Sequence, residues 1–375
     1  PKLPTLKETP MDLDELEAHS EKLRRIARNA HDSRVPFDTI TSDHHRKVLH
    51  KAIRNVLSTE LAIFTYAQII DGLPIADVAW DRRLPGIMGE HIIDDHEILC
   101  PGASEKAQEY HENWQPSSLM FDPETVKSYQ NAEPGSKCFN VRLVELVAVS
   151  LHQIAVLLFQ ADHRLHQGDI DAITNWKMPL SETMIDVLPG PTLFSHHAYL
   201  DDDIYPEGVA DIVGYWAEDR IFGGVAVFYR RPRGPNDIPN IYFHPCRQRQ
   251  TIRVYQLRDE QQQALFNFLL QDEPSTPPSP LPILGDKQNR IRVDAPMAIT
   301  HFHVYRDIWE RKPLNITDLR IFKKRPKDEI DYPEVGDLVR RINAQHGIPI
   351  PRPRPRSTSP PAREHGEENK YRDRG

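Results

Sequence analysis

The stretch GVADIVGYWAEDRIFGGVAVFYR, residues 208–230, decides the fold because the hydrophobic pattern of the chain changes there. It is rich in β-branched and aromatic residues, which favour extended structure. We predict two strands, at 208–217 and 220–230, joined by a hairpin turn at Glu218 and Asp219. The glycine pair 223–224 inside the second strand predicts a bulge or the close approach of another backbone segment.

Downstream of this stretch, short apolar runs alternate with polar or proline-rich turns. The pattern predicts an antiparallel meander that is interrupted by one helix at 259–270. The proline-rich segment 272–285 is too polar for a core and is interpreted as an excursion from the sheet. A final helix is predicted at 334–345. The further strands are predicted at 240–244, 250–257, 290–293, 299–306 and 319–322.

Upstream of residue 189, apolar residues recur at helical spacing. Asp43 is expected to cap the second helix. The run 59–70 is apolar throughout, so it predicts either a strand or a buried helix. Helices followed by an antiparallel sheet predict an α+β fold, with a helical N-terminal half packed on a largely antiparallel sheet in the C-terminal half. The predicted helices are 12–29, 43–57, 104–113, 123–129 and the long central helix 139–160.

Three regions follow from these patterns: a mainly helical region 1–188, a sheet region 189–347 that forms one compact unit with the first, and a tail 348–375. The tail has almost no apolar residue to bury, so we predict that it is disordered. Its alternating Pro and Arg residues at 349–356 favour the polyproline II conformation, which grooves of partner proteins bind. The tail is predicted either to recruit a protein partner or to be an inert solubilising extension.

Charge and cysteine content indicate which binding partners and which cellular compartment to expect. The 47 Lys and Arg residues are outnumbered by 55 Asp and Glu residues, which gives a net charge of −8 and disfavours nucleic-acid binding by the body. The three cysteines are far apart and odd in number, which indicates a reducing compartment and a cytoplasmic or nuclear location. They are expected to be small buried thiols, and they are Cys100, Cys138 and Cys246.

Membrane and secretion signals are weak in this sequence. Arg142 and Glu145 interrupt the longest apolar run, 141–159, so we interpret it as a core helix and expect no membrane span. The first eleven residues contain charged side chains and no apolar segment typical of a secretory signal. Whether a leader was removed before Pro1 stays open.

Several common catalytic motifs are missing from the sequence. There is no GxGxxG opening a helix after a strand, no GxxxxGK[ST] and no GxSxG. The two His-Glu pairs, 96–97 and 111–112, lack the second histidine of an HExxH motif. Dinucleotide, P-loop, standard α/β-hydrolase and zincin chemistry are therefore not expected.

The strongest candidate for a metal site is the pair His301 and His303. On a β-strand alternate side chains share a face, so both imidazoles would point toward one ion. A divalent iron or zinc ion needs at least one more ligand, which Glu310, His244 or the pair 196–197 could supply. The alternative is that both histidines lie on a polar, hydrogen-bonding face of the sheet.

Two weaker clusters contain histidine. A helix over 90–97 would bring His91 beside Asp94 and Asp95, where a divalent cation could bind, although a solvated helix face is the simpler interpretation. The histidine pair 163–166 follows the long helix, and a favourable interaction with its C-terminal dipole explains it. The acidic run 201–203 is expected to be a solvated loop.

Three segments of the second half, GVADIVGYWAEDRIFGGVAVFYRR, NIYFHPCRQ and HFHVYRDIWERKP, resemble a family of uncharacterised proteins that recurs in filamentous fungi. The resemblance brings no motif of known mechanism. It implies a cytosolic or nuclear fungal protein, and it assigns neither an activity nor a catalytic residue.

Two functions stay open at this point. The first is an intracellular binding or assembly protein, whose α+β body presents a surface or pocket for a protein or a small molecule and whose tail recruits partners. The second is a metal-dependent enzyme, a hydrolase or a non-haem oxygenase, that uses His301 and His303 as its first ligands. The lack of a strong catalytic motif favours the first function.

Overall fold

A computed structural model describes the chain at residues 13–81, 91–163, 165–166, 169–177, 190–230, 240–272, 279–314 and 327–346. The chain divides into two compact units, Pro1–Pro333 and Glu334–Gly375. The first unit contains the helices and the sheet that concern the candidate sites. The described part of the second unit is 334–346, nearly all of it in the helix Pro333–Gln345, which matches the predicted final helix. The predicted tail and the strand predicted at 319–322 lie outside the described residues.

The N-terminal half is helical, as predicted. Ser42, and not Asp43, caps the second helix, because its side chain accepts the backbone N–H of His45. The ambiguous run after residue 58 is a helix that Thr59 caps in the same way, and it ends at Gly72 with a positive φ of 103°. The helices are α1 (Leu13–Asp32), α2 (Asp43–Leu57), α3 (Glu60–Asp71), α4 (Ala76–Trp80), α5 (Ala103–Asn113), α6 (Pro123–Gln130), α7 (Lys137–Gln160) and α8 (Ile170–Thr174).

Helix α7 is the central helix of this half. It is long and apolar enough to cross a membrane by length and composition, and 83% of its most apolar window is buried inside the protein. Its Glu145 carboxylate, 2% exposed, accepts hydrogen bonds from Arg142 and from Arg230 of the sheet, both at 2.5 Å. Although burial opposes ionisation, these two arginines hold the pKa of Glu145 below its usual value. The charged residues inside the apolar run therefore join α7 to the sheet.

The segment 208–217, which we predicted to be the first strand of the C-terminal half, is helical from Val209 onward. Helix α9, Val209–Phe222, contains the whole run after Gly208 and also the expected hairpin turn at Glu218 and Asp219. Twelve of its side chains are buried, because α9 packs against α7 on one side and the sheet on the other. A helix that is buried all round has no polar stripe and loses the 3.6-residue signature.

Gly223 ends this helix and makes the close approach that the sequence predicted. Its φ is 99°, and a Cβ atom there would lie 2.4 Å from the carbonyl oxygen of Ile283. At Gly224 a Cβ atom would lie 2.8 Å from the Cβ of Phe243. The glycine pair therefore lets the chain turn from α9 into the sheet between two close neighbours.

Among the described residues, the sheet has five antiparallel strands in the order β6-β5-β4-β3-β7. Val225 pairs with His244 and Phe228 with Ile241 in the central pair, while Phe228 also faces Tyr305. The predicted meander is confirmed in its central strands. The elements are β3 (Val225–Tyr229), β4 (Ile241–His244), β5 (Val254–Gln256), β6 (Arg292–Val293) and β7 (Val304–Tyr305), with a short pair β1 (Val35–Pro36) and β2 (Met120–Phe121), and with helices α10 (Asp259–Leu270) and α11 (Ala295–Ala298).

One hydrophobic core runs through both halves. Its buried side chains come from helices of the first half, from α9 and α10, and from the central strands. A second cluster on the other face of β3 and β4 joins α1 to the segments that surround β7. The α+β fold is therefore confirmed, with a helical N-terminal half and an antiparallel sheet in the C-terminal half.

Candidate metal centre

The prediction that His301 and His303 lie on a β-strand is wrong. Helix α11 ends at Ala298 and β7 begins only at Val304, so His301 and His303 lie in the turn between them. His303 adopts a left-handed backbone conformation, with φ of 53°. The two imidazoles therefore do not share the face of a strand.

The other two predicted ligands are buried around an arginine. Glu310 accepts a hydrogen bond from Nη2 of Arg311 at 3.1 Å, and Nδ1 of His244 lies 3.4 Å from Nη1 of the same guanidinium. A guanidinium is always charged, so it is the cation that these two side chains share. Within the described ranges, no three of His301, His303, Glu310 and His244 form a group whose ligand atoms could hold one ion.

Two other groups in the described part of the chain do place their ligand atoms within 4.8 Å of one another and could hold a metal ion. The first consists of Asp71, His96 and His166. The second consists of His196, His197 and Cys246.

The first group is assembled by three separate segments. Asp71 is the last residue of α3, where Gly72 stops the helix and turns the chain. His96 follows the short 3₁₀ helix Ile92–Asp95, and its carbonyl oxygen accepts the N–H of Ala76. His166 belongs to the connection between α7 and α8. The three side chains are almost completely enclosed, with exposures of 0% for Asp71, 11% for His96 and 6% for His166.

The separations around this group are close to those between the ligands of one zinc ion. The Asp71 carboxylate lies 2.9 Å from Nε2 of His96 and 3.3 Å from Nε2 of His166. The thiol sulfur of Cys100 lies 3.5 Å from the same nitrogen of His166. Around a tetrahedral zinc ion, nitrogen and oxygen ligands are about 3.3 Å apart, and nitrogen and sulfur about 3.6 Å. The Cys100 sulfur therefore lies at a ligand distance from His166, although it does not belong to the group whose atoms all lie within 4.8 Å of one another.

The surroundings of the four side chains are also those of a metal site. Nδ1 of His166 lies 3.1 Å from the carboxylate of Asp169, which would orient the ring and leave Nε2 for a metal. The backbone N–H of Cys100 donates to both carboxylate oxygens of Asp71 at 3.3 Å. Burial and the neighbouring Asp71 raise the pKa of Cys100 to about 11, whereas a bound metal ion would deprotonate this thiol.

The second group is less well suited to a metal. Nε2 of His196 donates to the carbonyl oxygen of His244 at 2.9 Å, and Nδ1 accepts the N–H of Ala198 at 3.2 Å. Both ring nitrogens are therefore engaged, and a metal would have to displace one of these bonds. Cys246 places its sulfur 3.2 Å from Nδ1 of His197, which makes a cysteine and histidine pair beside the buried ring.

The other histidine clusters have structural roles. Nδ1 of His91 accepts the N–H of Ile93, while the Asp94 carboxylate accepts the N–H of His91, so this pair caps the 3₁₀ helix. Asp94 also accepts the indole N–H of Trp80 at 2.5 Å. The ring of His166 contacts Asp71 and Asp169, so these carboxylates, and not the dipole of the long helix, explain its position. The sequence contains one local signal for this centre, the spacing His96-x₃-Cys100.

No protein-family model, no curated protein and no solved structure matches this chain. The resemblance to a fungal family therefore stays a prediction. The assignment of the metal centre depends on the geometry of its side chains alone.

Proposed function

We propose that this chain is a zinc protein, in which Asp71, His96, Cys100 and His166 hold one zinc ion. The observation that carries the proposal is the group of Asp71, His96 and His166, whose ligand atoms all lie within 4.8 Å of one another, with the Cys100 sulfur 3.5 Å from Nε2 of His166. Two imidazoles, one carboxylate and one thiolate are all ligands that zinc accepts. Iron in a two-histidine, one-carboxylate site keeps open positions, whereas in this proposal the Cys100 thiol beside His166 would take the fourth corner.

The zinc is structural in this proposal. Four protein ligands close the coordination sphere, and catalytic zinc sites keep one position open for water or substrate. The ion would fasten the connection that carries His96 and Cys100, and the connection that carries His166, to the end of α3. This role favours a binding or assembly protein over a metal-dependent hydrolase or oxygenase. Recruitment of a protein partner by the Pro and Arg tail remains part of this proposal.

Elemental analysis of the purified full chain tests the zinc proposal. We expect one equivalent of zinc per chain, and we expect Cys100→Ser and His166→Ala to lower the zinc content sharply. Cys138→Ser is the matched control, because Cys138 is exposed and belongs to neither group. A chain that is metal-free as purified and stays so after incubation with zinc would contradict the proposal.

Cobalt substitution tests the ligand set separately from the zinc content. A tetrahedral cobalt centre with one thiolate shows a sulfur-to-cobalt charge-transfer band in the near ultraviolet. We expect this band in the wild-type protein and its loss in Cys100→Ser, while His301→Ala leaves it unchanged. A band that persists in Cys100→Ser and disappears in a Cys246→Ser variant would move the centre to the second group.

A further inference from the structure

A cavity of about 790 Å³ lies on the far side of the sheet region, and none of the four proposed zinc ligands lines it. One wall is the middle of α1, and the other walls are the loop that follows His197, helix α11 and the segment 303–314. Cavities of a few hundred cubic ångströms are typical of sites for small molecules. The volume therefore suits a compact organic ligand rather than a single ion.

The lining is apolar for the most part, with a group of cationic side chains among it. Three permanent cations, Lys22, Arg311 and Lys312, line the cavity, and Asp201 is the one acidic side chain among its described lining residues. The carboxylate of Asp201 already accepts the backbone N–H of Lys312 at 2.8 Å. The apolar wall is made by Leu23, Ile26, Leu200, Ile299, Ile308 and Leu314.

Arg311 is the cation in this wall that is least exposed, at 7%. Nη2 donates to Glu310 at 3.1 Å, Nη1 donates to the carbonyl oxygen of Ala295 at 3.3 Å, and the guanidinium lies over the ring of Tyr199. Its Nε is buried and has no hydrogen-bond partner among the described residues. This nitrogen is closed off from the cavity, so Arg311 offers a ligand its positive charge and the other atoms by which it lines the cavity.

Further positive side chains lie around the lining of the cavity. Lys312 and Arg24 share one carboxylate, that of Asp203, at 2.6 and 3.0 Å. Arg24 also pairs with Glu17 at 3.3 Å, while Lys22 of the same helix lines the cavity. Because three permanent cations and one carboxylate belong to the described lining of the cavity, its electrostatic complement is a negatively charged group.

We propose that the cavity binds an apolar small molecule that carries one carboxylate, with Arg311 as the anchor of the acidic group and the wall of Leu23 and Ile308 in contact with the apolar part. This proposal goes beyond the zinc centre and is independent of it. It also gives the predicted binding function a class of ligand. No covalent step is involved.

Isothermal titration of the full chain with three matched probes tests the class of ligand. Dodecanoate, dodecanol and dodecylamine share one apolar tail and differ in their head group, and each is used below its micellar concentration. We expect saturable binding of one dodecanoate, with dodecanol weaker by roughly tenfold or more because a charge-assisted hydrogen bond is lost. Equal binding of all three, or no binding of dodecanoate, would overturn the proposal.

Variants locate the binding in this cavity. We expect Ala198→Trp to abolish dodecanoate binding by filling the space, and Arg311→Lys to weaken it roughly tenfold. Lys22→Gln should weaken it by a few fold, since the side chain is exposed and its loss leaves the core intact. Arg28→Gln, an exposed residue of the same helix outside the lining, is the control. Unchanged affinity in both Ala198→Trp and Lys22→Gln would place the ligand elsewhere and refute the proposal.

Discussion

His196 and His244 are packed against each other in the C-terminal half, with ring centroids 4.9 Å apart and no exposed surface on either side chain. Burial lowers the pKa of His196 to about 3, and the nearby Arg311 acts in the same direction. Burial, His196 and Arg311 also lower the pKa of His244 well below its usual value. Both rings are therefore expected to be neutral in the folded protein at neutral and mildly acidic pH.

This neutrality predicts a loss of stability in mild acid. The folded pKa values lie below the value near 6.5 of the unfolded chain, so the stabilisation is present above pH 6.5 and is lost as the pH falls. Each histidine contributes a slope of about 1.4 kcal/mol per pH unit once the unfolded ring is protonated. We expect His244→Gln to reduce the slope of unfolding free energy between pH 6 and 5 by about this amount.

Chemical denaturation at a series of pH values measures this slope. The difference between His244→Gln and the wild type cancels the contributions of all other titrating groups that the substitution leaves alone. His301→Ala is the matched control, because this histidine lies in an exposed turn. An unchanged slope in His244→Gln would show that this ring takes up its proton in the folded state.

The sequence indicated that histidines and acidic residues could form a metal site, but it did not indicate which of them lie close together. His301 and His303 drew attention because they are two apart, but their backbone turns where a strand was expected. Asp71, Cys100 and His166 are separated by 29 and 66 positions, and only the packing of α3 against later connections brings them together. Contacts of this kind leave no local pattern, so spacing alone could not predict the centre.

At the scale of elements, a glycine permits the close contact between α7 and α9. A Cβ atom at Gly214 of α9 would lie 2.6 Å from the imidazole of His152 on α7. The same imidazole is held by Asp211, one turn earlier on α9, at 2.8 Å. The ring is therefore fixed in place and cannot move away from an added methyl group.

Gly214→Ala is expected to destabilise the protein by up to about 2 kcal/mol, although alanine is the better helix former. Alanine contributes about 1 kcal/mol of helix propensity, and overpacking of a filled interface costs about 1 to 3 kcal/mol. In a His152→Ala background the space is open, so the same substitution should become neutral or stabilising. Denaturant unfolding of the four proteins of this cycle measures the coupling.

Helix α9 also shows why part of the fold was mispredicted. Its residues Ile212, Val213 and Tyr215 favour strands when they are considered one at a time. The helix has neighbours on all sides, so it lacks the polar face that identifies an amphipathic helix. The outer helices, such as α2, have such a face and were predicted within a few residues. Burial on all sides is therefore the physical reason for this error.

At the scale of the whole molecule, the core crosses the boundary that the sequence suggested between regions 1–188 and 189–347. Ile53 of α2, Val213 of α9 and Phe243 of β4 belong to one cluster of buried side chains. The ion pairs of Glu145 with Arg230, and of Glu218 with Arg306, connect helices to the sheet through buried carboxylates. The compact unit Pro1–Pro333 is therefore expected to unfold as a whole.

Calorimetry of the full chain tests this cooperativity with one core variant from each half. Ile53→Ala in α2 and Phe243→Ala in β4 each remove a completely buried side chain, which costs about 2 to 5 kcal/mol. If one core holds both halves together, both variants lower the midpoint of the same main transition, and circular dichroism and tryptophan fluorescence follow it together. Two separable transitions, one moved by Ile53→Ala and the other by Phe243→Ala, would show instead that the helical and sheet regions fold as independent domains.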